Sequence, residues 1–164
     1  MANETVDLRD LLTAPLSNFP DKPNLPANKS FYGKILNMEA THSKVKGTPG
    51  FHVSVRLTDP GSDVTPSDLQ KLSDAGLSLA DYEVGSDFWL TPGSMTFLRR
   101  FLTSIGISEN VSTAEALHLD EHFNPTSETR DIVRGLDVAI KTPPADAEGR
   151  VFTNNLDIIY GVKR

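Results

Sequence analysis

The chain has 164 residues, 38% of them hydrophobic and 23% charged, with no cysteine and a formal net charge of −6. That is enough chain for one domain with a sizeable core, and no apolar run approaches the roughly 20 residues of a membrane span. Lacking cysteine, it forms neither disulfides nor thiolate metal sites, and its acidic start, MANETVDLRD, reads as neither a secretory nor a transit leader, so a cytoplasmic protein is expected.

Residues 14–28 carry four prolines and no periodicity. They predict an extended lead-in (1–28) before a domain at 29–164, with a short helix at Val6–Leu12. FYGKILNMEATHS (31–43) predicts a long first strand, with Phe31, Gly33 and Ile35 on one face and Tyr32 and Lys34 on the other. The tip SKVKGTPG turns the chain at Gly47, Pro49 and Gly50. In the second strand, 51–58, Phe51, Val53, Val55 and Leu57 alternate with His52, Ser54, Arg56 and Thr58, as a half-buried antiparallel strand requires.

An insertion at 60–83 follows, with a helix that Pro66-Ser67-Asp68 starts and Gly76 stops. The third strand, Val84–Leu90, points Phe88 and Leu90 one way and Asp87 and Trp89 the other. SMTFLRRFLTSIG (94–106) predicts an amphipathic helix with Phe97, Leu98, Phe101, Leu102 and Ile105 on its apolar face and Gly106 at its end. A second helical stretch (112–123) and an irregular segment to Arg134 come next. The strands 135–141 and 150–163, joined by TPPADAEG, close the chain; Leu136, Val138 and Ile140 alternate in one, Phe152, Leu156, Ile158 and Tyr160 in the other.

The expected fold is therefore mainly β with helices: a five-stranded OB-fold β-barrel with a helix between strands three and four. The alternative is an α+β sandwich whose helix packs on an open sheet.

Catalytic signatures are sparse. His118-Leu119-Asp120-Glu121-His122 matches H-x-x-E-H, in which two histidines one helical turn apart bind zinc. Asn124-Pro125 breaks that helix, and no later helix offers a third ligand, so a zinc hydrolase is a remote alternative to a solvated acidic helix end. There is no Gly-x-Ser-x-Gly elbow and no phosphate loop between strand and helix. No enzyme, cofactor or metal is expected.

Binding is better represented. The charge is uneven: residues 22–58 hold six bases against Glu39 alone, whereas 59–131 hold thirteen acids and four bases. Inward Phe51 and its mates turn His52 and Arg56 outward, and the same alternation turns Tyr32, Lys34 and Trp89 outward. The 1–2 loop is the tip with Lys44 and Lys46, and the 4–5 loop is flanked by Lys141 and Arg150. Aromatic rings among cations suit single-stranded nucleic acid, with rings stacking bases and cations meeting phosphates. The plainer readings are that Trp89 packs under the insertion, that Tyr32 and His52 make cross-strand pairs, and that the lysines keep a hairpin tip soluble.

The stretch NLPANKSFYGKILNMEATHSKVKGTPGFHVSVRL resembles the opening of phage-encoded single-stranded DNA-binding proteins of the OB-fold type. FLTSIGI, RGLDVAIKT and EGRVFTNNLDIIY resemble that family's second half in order and spacing, so the resemblance covers about residues 24–160. It implies sequence-independent binding of single-stranded DNA in phage replication, recombination or repair, in the host cytoplasm. By position, Lys44, Lys46, Tyr32, Lys34, His52 and Arg56 would carry that role. Replication or recombination proteins are the implied partners, and a homo-oligomer is left open. Many members end in an acidic tail that recruits replication enzymes; this sequence ends Gly161-Val162-Lys163-Arg164, which leaves recruitment open. A phage structural or adaptor protein, binding protein through the outer sheet face, is the other class.

Overall fold

In β2 (Pro49–Pro60), Phe51, Val53, Val55 and Leu57 are all buried while Ser54, Arg56 and Thr58 reach solvent to increasing degrees, so the alternation in the sequence sets the two faces of the strand. β2 lies between β1 (Ser30–His42) and β3 (Glu83–Trp89). β4 (Asp137–Lys141) and β5 (Ile159–Gly161) complete an antiparallel sheet of order β3-β2-β1-β4-β5. This is a computed structural model describing residues 8–13, 15, 22–153, 156 and 159–162. The chain is mainly β with helices, and by strand pairing its sheet is open, with β3 and β5 at the edges.

β1 holds the sheet together because it pairs on both sides. Its whole length meets β2, from Phe31 opposite Pro60 to His42 opposite Pro49. Its first five residues also meet β4, from Ser30 opposite Lys141 to Lys34 opposite Asp137. The register with β2 shifts twice, between Ile35 and Asn37, where Leu36 is an extra residue on β1, and between Tyr32 and Gly33, where Thr58 is an extra residue on β2. Gly33 is fully packed there: a Cβ would stand 2.6 Å from both the Arg56 carbonyl oxygen and Val55 Cγ1.

Two features link the sheet's edges. Gly85 of β3 donates its N–H to the Thr153 carbonyl and accepts from the Leu156 N–H, both at 2.8 Å, while the buried Ser86 hydroxyl donates to the Leu156 carbonyl at 2.5 Å. The helix α3 (Met95–Ser104) spans the same gap. Phe101 stacks on Phe88 of β3 with ring centroids 5.1 Å apart, and the Gly161 N–H of β5 donates to Ser104 Oγ at 2.6 Å.

Residues 22–28 of the lead-in are docked on the domain. Leu25 is buried, Tyr82 donates its hydroxyl to the Pro23 carbonyl (2.6 Å), and the buried Thr142 hydroxyl donates to the Pro26 carbonyl (2.6 Å) while accepting from the Lys29 N–H (3.0 Å). Burial is also the first cause that raises the Tyr82 hydroxyl above its ordinary pKa, with Asp81 second. Ahead of it, α1 covers Leu8–Thr13; the beginning of the helix expected at Val6–Leu12 lies outside the described residues. In the insertion, a 3-10 turn at Pro66–Leu69 runs into α2 (Gln70–Asp74), started by Thr65 and Asp68 in a capping box and ended at Gly76 with φ +74°.

Five expectations need correction. The helical stretch 112–123 is a single turn, α4 (Thr113–Ala116), and the supposedly irregular segment to Arg134 holds α5 (Ser127–Val133). α5 was hidden because a polar residue anchors it: buried Thr129 donates to the Leu117 carbonyl at 2.6 Å and closes a capping box with Thr126. Phe97, read as core, is 52% exposed, and so is Phe152 at 56%. Of the last strand, expected over 150–163, Ile159–Gly161 are strand and the described residues 150–153 and 156 are not, and Ile158 and the Tyr160 side chain lie outside the described residues.

Because Gly33 has backbone on one side and a packed valine on the other, Gly33→Ala should lower the unfolding free energy by ~1–3 kcal/mol. Urea titration should show a lower midpoint with an unchanged slope; a midpoint equal to the parent's would mean that the bulge tolerates a side chain.

Candidate functional site

The hairpin between β1 and β2 is an ordered tip. Ser43 Oγ accepts from the N–H groups of Lys46 (3.3 Å) and Thr48 (3.0 Å), its N–H donates to the Thr48 carbonyl (2.9 Å), and Gly47 takes φ +67°. Those bonds turn Lys44, Val45 and Lys46 out to solvent, Val45 to 94% exposure. Leu90 donates its N–H to the Pro49 carbonyl at 2.9 Å, so the end of β3 is tied against the base of the tip.

Trp89 is opposite Gly50 in the β2–β3 register. A Cβ on Gly50 would come within 2.7 Å of the indole Cε3, so the ring lies flat along the strand only because residue 50 is glycine. The half-buried indole forms one wall of an open concavity of about 320 Å³, shared with Ser43, Val45, Lys46, Thr48, Thr91 and Ser94. The expectation that Trp89 faces outward beside the basic tip matches this arrangement.

Along the strand face, cations and carboxylates interleave. Lys34 Nζ is 3.1 Å from Asp137 Oδ1 on β4. Arg56 sits opposite Lys34 on one side and Glu83 on the other. His52 lies between Glu39 and Asp87 and shares a 2.6 Å hydrogen bond between its Nδ1 and Asp87 Oδ1. Held by that carboxylate, the His52 ring is oriented rather than free to follow a ligand. Tyr32 and Lys141 belong to the far end of the sheet, where Tyr32 is opposite Ala139 and Lys141 is opposite Ser30.

Arg150, midway along the connection from β4 to β5, is held by its own loop. Its guanidinium meets Asp146 at 2.9 Å and Glu148 at 3.2 Å and covers the Phe152 ring at 5.2 Å. Asp146 titrates below its ordinary value, chiefly because it accepts the backbone N–H of Arg150. Its hold on the loop is thus complete at neutral pH and fades as pH falls through that lowered value. The structure therefore gathers Lys44, Lys46 and Trp89 at one end, sets His52, Arg56 and Lys34 among carboxylates in the middle, and leaves Tyr32, Lys141 and Arg150 at a distance.

Sequence reasoning overlooked Thr91, Ser94 and Arg100, the last exposed and without an ion pair among the described residues. A signal for them was present. Residues 40–58 and 88–108 are the two longest runs in the chain without a carboxylate, and both border the concavity.

The helical spacing needed for zinc does not form. His118 follows α4 in a left-handed conformation (φ +53°), and it and His122 face separate neighbours, Glu128 at 3.3 Å and Glu121 at 3.6 Å. Among the described residues no group of three or more metal-ligating side chains converges, and no helix is long and apolar enough to cross a membrane. Neither the protein-family models nor the curated proteins contain a match to this chain.

His122 is thus a solvated side chain, and His122→Ala should change stability by less than ~0.5 kcal/mol. Thermal melts with and without a chelator should coincide for parent and variant; a chelator-induced drop in the parent that the variant lacks would reinstate a metal at this loop.

Proposed function

We propose that the protein binds single-stranded DNA without regard to sequence, on a partly open barrel of the OB type. The barrel reading is supported by the element order of three strands, helices and two strands. It is supported too by β1 shared between β2 and β4, and by the bonds from Gly85 to Thr153 and Leu156 that bridge the sheet's edges. The observation that carries the function is the convergence at Trp89. The two longest carboxylate-free runs of an acidic chain meet at one concavity that holds its single tryptophan and Lys46, with Lys44 beside it.

In this reading the indole stacks an unpaired base, and Lys44 and Lys46 displace counterions from the phosphates. Ser43, Thr48, Thr91 and Ser94 offer hydroxyls that bond phosphate or sugar oxygens without reading a base. Lys34 and Arg150, each already matched by a carboxylate, have less attraction to lend a polyanion. Stacking on the indole needs an unpaired base, so this reading takes single strands as the ligand, in phage replication, recombination or repair as the family resemblance implies. The paired charges along β2 and β3 favour one other reading, an adaptor face that binds protein.

Titration of labelled oligo-dT decides between them. Affinity should fall by roughly 0.7 log units per log unit of salt for each phosphate neutralised. Lys44→Ala with Lys46→Ala should weaken binding and flatten that slope, while Lys34→Ala and Arg150→Ala change it less. Saturating DNA should quench the Trp89 fluorescence, and Trp89→Ala should cost ~1–3 kcal/mol of binding with the slope nearly intact. Absence of binding at low salt, or a preference for duplex, would hand the site to the adaptor reading.

A further inference from the structure

Phe97 was expected in the core and is instead half exposed, at a place the fold makes specific. Ser94, Phe97, Phe101 and Ser104 recur at three- and four-residue spacing and so lie along one stripe of the α3 region. The lower part of that stripe is used internally, with Phe101 on Phe88 and Ser104 holding Gly161. The upper part is not: Ser94 lines the Trp89 concavity, and Phe97 lies one turn below it, roughly 5–6 Å along the helix surface. Phe97 thus stands between the concavity and the buried phenylalanine stack, with its ring toward solvent.

The next residue along that flank is Arg100, three positions on. It is exposed and forms no ion pair among the described residues, unlike its neighbour Arg99, which meets Glu109 at 3.5 Å. The whole segment 88–108 carries no carboxylate. An exposed aromatic ring with a cation one turn away, continuous with a concavity that has the same pair, repeats the composition of the first station.

We infer that the single strand leaves the Trp89 concavity along the flank of α3, where Phe97 stacks a second base and Arg100 meets its phosphate. This rests on the single-stranded DNA reading above and gives it a direction. The path crosses from the hairpin tip onto the helix, away from the outer face of the sheet, where Glu39 of β1, Glu83 and Asp87 of β3 and Asp137 of β4 offset the cations. A flexible strand reaches successive rings spaced along a surface, because each base has its own stacking face.

The test uses the full chain and labelled oligo-dT of two lengths, about four nucleotides, enough for the first station, and about twelve, enough for both. Phe97→Ala should weaken the longer oligonucleotide by about 5- to 100-fold and leave the shorter one unchanged. Phe97→Tyr, which keeps the ring, should restore the loss, and Arg100→Gln should lower the salt slope for the longer strand alone. Thermal melts of each variant confirm that the fold is kept. If Phe97→Ala and Arg100→Gln bind both lengths as the parent does, or if Phe97→Ala weakens both equally, the α3 path is overturned while the Trp89 site stands. Failure of the parent to bind either oligonucleotide would instead overturn the single-stranded DNA reading itself.

Discussion

The double pairing of β1 is the constraint from which the rest of the structure follows. A strand that pairs with β2 from Phe31 to His42 and with β4 along its first five residues fixes the register of both neighbours, and the shift beside Gly33, with Thr58 of β2 as the extra residue, falls where all three strands meet. With a side chain there, the Arg56 carbonyl and Val55 would have to move, and with them the register that turns His52, Arg56 and Lys34 outward. The two edges of the sheet border a common gap. That is why one helix reaches both Phe88 on β3 and Gly161 on β5, and why the segment around Thr153 and Leu156 bonds to Gly85.

Charge distribution then separates the parts of the surface that look alike in sequence. Residues 22–58 read as a basic stripe, yet Lys34 faces Asp137, Lys29 lies 3.6 Å from Asp68, and Lys22 donates to the Asp81 carbonyl and covers the Tyr82 ring. Opposite charges in contact at a surface contribute little to stability, but they do cancel the field that a distant polyanion senses. Among the described residues, Lys44 and Lys46 at the hairpin tip and Arg100 in the middle of α3 form no such pair.

Much of this was legible in the residues. The faces of β2, the turn at Gly47, the insertion helix stopped by Gly76 and the order of elements follow from alternation and glycine placement, which are local signals. The outward turn of Trp89 on β3 follows from the same alternation, whereas its place beside the tip depends on the β2–β3 register. What escaped depended on distant partners. α5 is fixed by a threonine that finds the Leu117 carbonyl, and no apolar period announces it. Phe97 fits the apolar face of α3 by spacing, but the seam that α3 covers is narrow enough for Leu98, Phe101 and Leu102 to fill, and the phenylalanine at the margin is left outside. The partners of Lys34 and Arg150 come from elements that sequence places but does not aim.

The shared strand also orders events during synthesis. β1, β2 and β3 are complete once Trp89 has left the ribosome, whereas the second partner of β1 needs residues through Lys141, roughly fifty residues and about 3–10 s later at ordinary elongation rates. For that interval the Ser30–Lys34 edge of a half-built sheet has open amides and carbonyls, the kind of edge that recruits another chain. Lys34 stands on it with its eventual partner, Asp137, not yet made. An unneutralised ammonium on a waiting edge discourages a second nascent chain from adding there, so the same lysine serves as a gatekeeper during synthesis and as half of an ion pair afterwards.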